Sequence, residues 1–447
     1  MRKLIAAIDL GTSKIVCIVG ERTEQGVKII ALNEMPSKGI NRGEVINIQS
    51  VLDSIKPTIT GVENAIGEKI NDVFVGISGQ GIRCEQQTNQ ITRSNPDEYI
   101  TAAEIDKITL GMQENFSHNG EEVLQAIPQS YNIDDFMGIT EPVGMIGKQI
   151  FSNFKLFIGK KGSAELRRNA ISRAGLNIKG LVLGPLASAK AVLDEEEKEV
   201  GVALLDIGSG TTDLIIIQDN IVRHAAVIPF GGNSITEDVK QGCGVSTKTA
   251  ERLKIEKGFC MSSLADDRKI RINGIGGRDN KDIPYSHLAE IIESRIEELL
   301  EAALYEIEKS GYKDKLNAGL VITGGTAQLP NLTSFAHLVT GLETRLAFPD
   351  KTFSEAEASI TRPSLSTAVG LVLIGAEKLE KEGNAYSTTT PMDYSKQKDA
   401  PAAEVVKDEE KKQEPQQPKA PKKNPWGGFK DIFNSLKSDN VFTDNEA

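Results

Sequence analysis

The chain has 447 residues, 39% of them hydrophobic, and a formal net charge of −11. That length calls for two or more compact units. The acidic balance argues against general nucleic-acid binding, which needs a basic surface to displace counterions, and it leaves any contact with anionic lipid to a local basic or apolar element.

The first elements form a strand, a tight turn and a strand: Lys3 to Ile8 is apolar, Gly11-Thr12-Ser13 interrupts it, and Ile15 to Val19 resumes it. This opening run is too short for a signal peptide. No stretch of roughly 18 apolar residues occurs, so no segment is expected to span a bilayer. Val51 to Ile59 has helical character, and Val73 to Ile77 is a strand closed by Ser78-Gly79-Gln80-Gly81. From about Arg83 to about Gly162 turn residues become dense, which points to a separate small α+β insertion. Ala164 to Arg173 is again helical. At Val202 the first pattern returns as Val-Ala-Leu-Leu-Asp-Ile-Gly-Ser-Gly-Thr-Thr-Asp, and an internal duplication is the natural reading. Ser286 to Ser310 is a long amphipathic helix stopped at Gly311. A third Gly-rich turn, Gly324-Gly325-Thr326, follows a strand. Beyond Glu380 the chain is rich in Pro, Gln, Lys and Glu with few apolar residues, the composition of a flexible linker. Cys17, Cys84, Cys243 and Cys260 form no CxxC pair and have no His at ligand spacing, so they are expected as reduced, mostly buried thiols.

The two hairpins suit phosphate chemistry. Glycine lets a backbone approach an anion and aim several N–H groups at it, and Ser and Thr add hydroxyl donors. Asp9 with Gly11, Thr12 and Ser13 forms one half of such a clamp. Asp206 with Gly208, Ser209, Gly210, Thr211, Thr212 and Asp213 forms the other. Asp9 and Asp206, at the strand ends, are candidates to face a Mg²⁺ ion, held through water because Mg²⁺ keeps most of its hydration shell. Lys14 either adds positive charge to the clamp or is simply solvated. The third turn either lets a nucleobase lie against its glycines or is a plain strand-to-helix turn. A lone Asp-x-Gly turn is uninformative; two copies in matching strand contexts are specific. The one near-match to a P-loop, Gly144 to Gln149, has the wrong spacing and lacks the Ser/Thr.

The order of these turns, with Gly184-Pro-Leu-Ala-Ser-Ala189 between them, resembles the actin-like ATPase superfamily. Within it, Gly231-Gly-Asn-Ser-Ile-Thr-Glu-Asp238 and Ala250-Glu-Arg-Leu-Lys254, the insertion with Pro142-Val-Gly-Met145, and the long polar linker are similar to the FtsA family of bacterial cell-division proteins. The resemblance implies an α/β, actin-like two-lobed fold with duplicated mixed-sheet cores. The first lobe would cover 1–82 and 163–198, interrupted by an insertion domain at 83–162. The second would cover 199–380, with a smaller subdomain at about 233–315. A linker at 381–424, an amphipathic helix at 425–437 and a polar end at 438–447 would follow. It further implies ATP and Mg²⁺ as cofactors, Glu251 and Lys254 near ribose and base, and Gly324, Gly325 and Thr326 near adenine. Implied partners are the tail of the tubulin-like division protein FtsZ, helped by Arg295, further copies of the chain, and other division proteins. The implied location is the cytoplasmic face of the membrane at the division site. In chaperone relatives a carboxylate stands near the attacking water where this chain has Gly184, so ATP turnover is expected to be slow or undetectable. A chaperone would need a folded substrate domain after the ATPase. A small-molecule kinase would have no use for a tethered helix, a pilus-assembly adaptor is disfavoured by the same helix, and a rod-shape filament protein would not need the insertion.

The terminal segment, Pro425 to Lys437, carries the second strong pattern. At 100° per residue Trp426, Phe429, Ile432, Phe433 and Leu436 fall within an arc of about 120°, flanked by Lys430 and Lys437. It is too short to span a membrane. Such a helix either packs on a protein surface or lies in the membrane interface, and a coil of roughly 44 residues ahead of it, with a mean span of about 35 Å, favours the membrane. Gly427 and Gly428 each weaken the helix by about 1 kcal/mol, so firm attachment calls for many copies acting together. Trp426→Glu with Phe433→Glu is expected to release the chain from anionic liposomes in a flotation assay, and unchanged flotation refutes the anchor.

Overall fold

The structure, a computed structural model, describes residues 2–24, 26–114, 120–273, 279–349, 360–381 and 388–391. The expected amphipathic face of Trp426, Phe429, Ile432, Phe433 and Leu436 lies outside the described residues.

The chain opens with β1 (Leu4–Leu10), β2 (Lys14–Thr23) and β3 (Gly26–Pro36). A small hairpin of β4 (Ile40–Asn41) and β5 (Glu44–Val45) follows, then helix α1 (Ile48–Ile66), β6 (Glu68–Ile70) and β7 (Asp72–Ile77). β1 is apolar on both faces, as a strand covered on both sides must be. Asn47 caps α1 by accepting from the Ser50 amide, and Gly67 closes it in a left-handed conformation.

A separate sheet comes next, built from β8 (Arg83–Thr92), β9 (Glu121–Ile133), β10 (Phe136–Ile139) and β11 (Gln149–Lys160), with α2 (Ala102–Glu114) against it. Its order is β10-β9-β11-β8. Ile108, Ile133, Ile150 and Phe154 give this inserted module a core of its own. Helix α3 (Lys161–Arg173) returns the chain to the first sheet through β12 (Asn177–Leu183), α4 (Gly184–Val192) and α5 (Glu195–Val200).

The second half contains β13 (Val202–Ile207), β14 (Thr212–Gln218), β15 (Ile221–Ile228), α6 (Gly232–Cys243) and α7 (Thr247–Lys257). It continues through β16 (Lys269–Ile272), β17 (Lys281–Pro284), α8 (Tyr285–Lys309) and β18 (Leu320–Thr323). It ends in α9 (Leu332–Thr340), β19 (Thr344–Leu346), α10 (Ser366–Lys381) and β20 (Thr389–Pro391). The amphipathic helix α8 buries Leu288, Ile292, Ile296, Leu299 and Ala303, a helical stripe toward the core.

The two main sheets share one topology. The first runs β3-β2-β1-β7-β12 and the second β15-β14-β13-β18-β19. In each, an antiparallel hairpin is extended on one side by two parallel strands. The duplication inferred from the Asp-x-Gly turns is therefore a duplication of whole sheets. Helices α4 and α10 pack between them in one shared core that includes Ile5 and Phe74 from the first sheet and Leu204 and Ile215 from the second. A Cβ on Gly370 of α10 would stand 1.7 Å from the Ala187 carbonyl oxygen of α4, so only glycine permits this crossing.

Compact structure was expected to end near Glu380, with a linker from 381. The fold corrects that boundary. Thr389–Pro391 pair with β6, and Thr388 is fully buried. The Thr388 hydroxyl donates to the Leu4 carbonyl (3.0 Å) and accepts from the Ala6 amide (2.8 Å). Its carbonyl accepts from the amides of Asn71 (2.9 Å) and Asp72 (3.2 Å). Thr388 thus fills the gap between β1 and β7 below the point where their own ladder begins at Ala7 and Phe74. The sequence concealed this because three threonines and a proline supply the contact by hydrogen bonding and not by an apolar stripe. Among the described residues no helix is long and apolar enough to cross a membrane.

Thr388→Val keeps the shape and leaves the buried Ala6 amide unpaired, a loss of about 1–3 kcal/mol. Thermal unfolding should show a lowered midpoint, with Thr388→Ser close to the parental chain; equal midpoints for Val and Thr would show that the Thr388 hydroxyl contributes nothing.

Candidate functional site

A cleft of about 530 Å³ opens where the two sheets meet, and both halves of the chain line it. That volume is in the range of small-molecule sites, about 300–1,000 Å³. The β1–β2 hairpin supplies Asp9, Gly11, Thr12, Ser13 and Lys14; the β13–β14 hairpin supplies Asp206, Gly208, Ser209, Gly210, Thr211 and Asp213. A Cβ on Gly11 would lie 2.7 Å from the Lys14 carbonyl oxygen, so the first turn closes only around glycine. At Gly210 a Cβ would lie 2.4 Å from the Thr12 hydroxyl, which brings the two hairpin tips into contact across the cleft.

The third turn joins the second hairpin. Gly324, at φ 97°, leaves no room for a Cβ, which would meet Asp206 and the Ile207 carbonyl oxygen at 2.5 Å each. The Thr326 hydroxyl donates to the Gly208 carbonyl at 2.9 Å. Gly325 and Thr326 line the cleft. Thr212 does not: it is fully buried and its hydroxyl donates to the Phe230 carbonyl at 3.0 Å, so it braces the hairpin from behind.

Three carboxylates converge on the floor. Asp206 accepts from the hydroxyls of Ser188 on α4 and Thr367 on α10. Asp213, directly opposite Asp206 in the hairpin, accepts from the Ser78 hydroxyl at 2.7 Å, a bond between the two lobes. Burial raises the proton affinity of all three. Asp9 is pushed up to about 6, mainly by burial, with Arg167 opposing and Asp206 adding to the rise. Asp213 is pushed up to about 7 by burial and then by Asp206 and Asp9. Asp206 also rises, through burial, against the pull of its two hydroxyl donors. A raised folded-state pKa means that these acids oppose folding of the empty chain at high pH, and that the opposition fades as pH falls through 7 and then 6. Among the described residues no three acidic, His or Cys groups are grouped to hold a metal by themselves. A carboxylate floor beneath glycine turns still fits hydrated Mg²⁺ held jointly with phosphate oxygens.

The remaining expected residues divide. Glu251 and Lys254 line the cleft wall. Lys254 is buried, and its ammonium donates to the Gly232 carbonyl (3.0 Å) and the Thr236 hydroxyl (2.9 Å) and pairs with Glu251 (2.8 Å). It therefore pins α7 to α6. Lys14 pairs with Glu34 at 2.8 Å and donates to the Ser364 hydroxyl at 3.1 Å. Arg295 is not at the cleft; its guanidinium bonds both Asp238 oxygens (2.6 and 3.1 Å) and Glu298 (2.6 Å).

Several cleft residues escaped the sequence reading. Asn233 and Ser78 stand inside stretches already singled out, where a polar residue beside glycine was the available signal. Ile255, 69% exposed, and Gln328 give the cleft an apolar wall and an amide beside the third turn. Arg167, buried on α3, had no signal, since nothing distinguishes it in sequence from Arg168 beside it. Gly184 lines the cleft too, and a Cβ there would lie 3.1 Å from Asp213 and 3.3 Å from the Ser78 Cβ. The space that a larger residue would need is held by the Ser78–Asp213 pair. The cysteines are free; burial pushes the Cys17 and Cys260 thiols up to about 12, which leaves them unreactive.

Comparison with known proteins agrees with this architecture. The profile described as "Cell division protein FtsA" matches residues 203–370, and "SHS2 domain inserted in FTSA" matches 79–158, the inserted module. The cell division protein FtsA of Pseudomonas aeruginosa is 32% identical over 397 residues, covering 87% of this chain and 94% of that protein. That of Neisseria meningitidis is 33% identical over 85% of this chain and 91% of its own length. That of Bacillus subtilis is 29% identical over 87% of each. Among solved structures, the PilM–PilN type IV pilus biogenesis complex aligns with a TM-score of 0.59 at 15% identity, over 83% of this chain and 98% of that one. MreB5 of Spiroplasma citri bound to ADP aligns at 0.52 and 14% identity, over 86% of this chain and 99% of that one. These likenesses establish an actin-like fold, and the extent and level of identity to the curated relatives establish that the chain belongs to the FtsA family of cell-division proteins.

Proposed function

We propose that this chain is an ATP-dependent adaptor of cell division. It binds Mg²⁺·ATP in the cleft, assembles with further copies of itself, and tethers the FtsZ ring to the cytoplasmic face of the membrane at the division site through the 425–437 helix. The observation that carries the nucleotide part is the meeting of two glycine hairpins, one from each lobe, over a floor of three carboxylates.

In this reading the amides and hydroxyls of Gly11 to Ser13 and Gly208 to Thr211 bind the phosphates. Asp9, Asp206 and Asp213 hold a hydrated Mg²⁺, which neutralises phosphate charge when bound. The adenine lies against Gly324, Gly325 and Ile255, with Glu251 at the ribose. Because ligands from both hairpins grip one molecule, occupancy favours the closed arrangement of the lobes, and that arrangement is the one that assembles. Assembly in turn supplies the many copies that a weak terminal helix needs. The FtsZ tail would engage the smaller subdomain of the second lobe. Arg295 can serve it only by exchanging its bonds to Asp238 and Glu298 for the tail's carboxylates. Other division proteins would share the assembled surface. Gly184 offers no group to activate water, so hydrolysis is slow.

Sedimentation with anionic liposomes tests the assembly. The full chain should sediment in an ATP-dependent manner, whereas a chain ending at Met392, which retains β20, should stay in solution. ATP-independent sedimentation would separate membrane binding from nucleotide and refute the coupling.

The raised carboxylate pKa values make a second test. Protons compete with Mg²⁺ for Asp213 as pH falls through about 7 and for Asp9 as it falls through about 6. Displacing one proton from a group of pKa about 7 makes Mg²⁺·ATP bind about ten-fold more weakly at pH 6 than at pH 8. Calorimetry should record that loss, and Asp213→Asn should flatten it. An affinity constant across this range would remove the carboxylates from the metal site.

A further inference from the structure

We propose that helix α3 couples the inserted module to the phosphate end of the cleft, with Arg167 setting the floor of the site and Arg168 making that setting follow the module. The proposal rests on the nucleotide reading of the cleft and adds a regulatory input to it.

Arg167 is 3% exposed, and its guanidinium donates to three backbone carbonyls, those of Gly76 (2.7 Å), Ser78 (3.2 Å) and Gly43. One of these carbonyls lies near the end of β7 and one just beyond it, at Ser78, whose hydroxyl reaches Asp213. The third belongs to the β4–β5 turn, whose central residues Arg42 and Gly43 have φ of 45° and 75°. That left-handed turn is held in place from both sides. Its Gly43 carbonyl faces Arg167, and its Gly43 amide donates to the Thr12 hydroxyl at 3.0 Å. Thr12 is the residue against which Gly210 of the other lobe packs. A shift of Arg167 must therefore move the contact between the hairpin tips or leave buried carbonyls without a donor. The same guanidinium is a cation felt by both Asp9 and Asp213.

The other side of α3 belongs to the module. Arg168 bonds both Glu122 oxygens on β9, at 2.7 and 3.2 Å. The Lys161 amide donates to the Gly120 carbonyl at 2.9 Å. β11 ends at Lys160 and α3 begins at Lys161, so no loop absorbs motion between the sheet and the helix. The Ser163 hydroxyl also donates to Glu44 at 3.2 Å, next to the turn that Arg167 holds. A contiguous set of contacts thus runs from Glu122 through Arg168 and Arg167 to Gly43, Thr12 and Gly210. A ligand or partner that displaces the module displaces the phosphate end of the cleft, and by linkage nucleotide displaces the module.

The test uses the full chain and Mg²⁺·ATP as the probe, with affinity read by calorimetry. Glu122→Arg and Arg168→Glu lie outside the cleft, and each should weaken binding at least about five-fold, the low end of couplings between sites. The double reversal restores the ion pair and should return affinity to within about two-fold of the parental value. Arg167→Lys replaces the planar fork by a single ammonium that cannot span the three carbonyls and should weaken binding at least about ten-fold. Single reversals that bind like the parental chain would overturn the coupling alone. Failure of the parental chain to bind Mg²⁺·ATP would overturn the nucleotide reading and the coupling with it.

Discussion

Gathering Asp9, Asp206 and Asp213 at the floor of one cleft is the constraint around which the rest of this structure is arranged. Like charges brought together out of water hold their protons more tightly, and the acids at 9 and 213 are displaced into the range of about 6 to 7. Such a cluster opposes folding unless something returns the lost stabilisation. Part is returned locally, by the Ser188 and Thr367 hydroxyls on Asp206, by Ser78 on Asp213 and by the field of Arg167. The remainder is an affinity for positive charge.

The supporting frame follows from that need. The carboxylates come from two sheets of identical topology, and only close approach of those sheets brings them together. Two glycines make the approach possible: Gly370, where α10 crosses α4 against the Ala187 carbonyl, and Gly210, where the second hairpin meets Thr12 of the first. At both places the requirement is the absence of a side chain. The shared core around α4 and α10 then fixes the spacing, since apolar residues from both sheets pack against the same pair of helices.

The architecture was legible in sequence because it rests on patterns that sequence displays directly. Apolar runs interrupted by Asp-x-Gly marked the hairpins, a change in texture marked the inserted module, and a helical stripe marked α8. The candidate cleft residues from the hairpins, α7 and the third turn were likewise gathered into one place, Thr212 excepted. What was hidden depends on contacts between residues distant in the chain. Arg167 looks like any helical arginine until three carbonyls surround it. Thr388 looks like linker until the gap between β1 and β7 is seen. Lys254 resembles a ligand-facing cation, yet its partners are Gly232, Thr236 and Glu251. In each instance the deciding partner is a backbone group or a side chain whose position only the fold determines.

Thr388 also changes how the end of the chain relates to the cleft. β1 runs from Leu4, which accepts from the Thr388 amide and hydroxyl, to Asp9 and the first hairpin. The point at which the chain leaves the folded unit and the point at which nucleotide would be gripped therefore lie at opposite ends of one strand. That strand is buried on both faces and paired on both sides, which makes it among the stiffest elements available. A folded unit that ended in α10 would have closed on a helix free to fray at its last turn. Segment 388–391 instead ties the end of the folded unit to β1, β6 and β7 by hydrogen bonds, so three threonines and a proline fix it to the strand that carries Asp9.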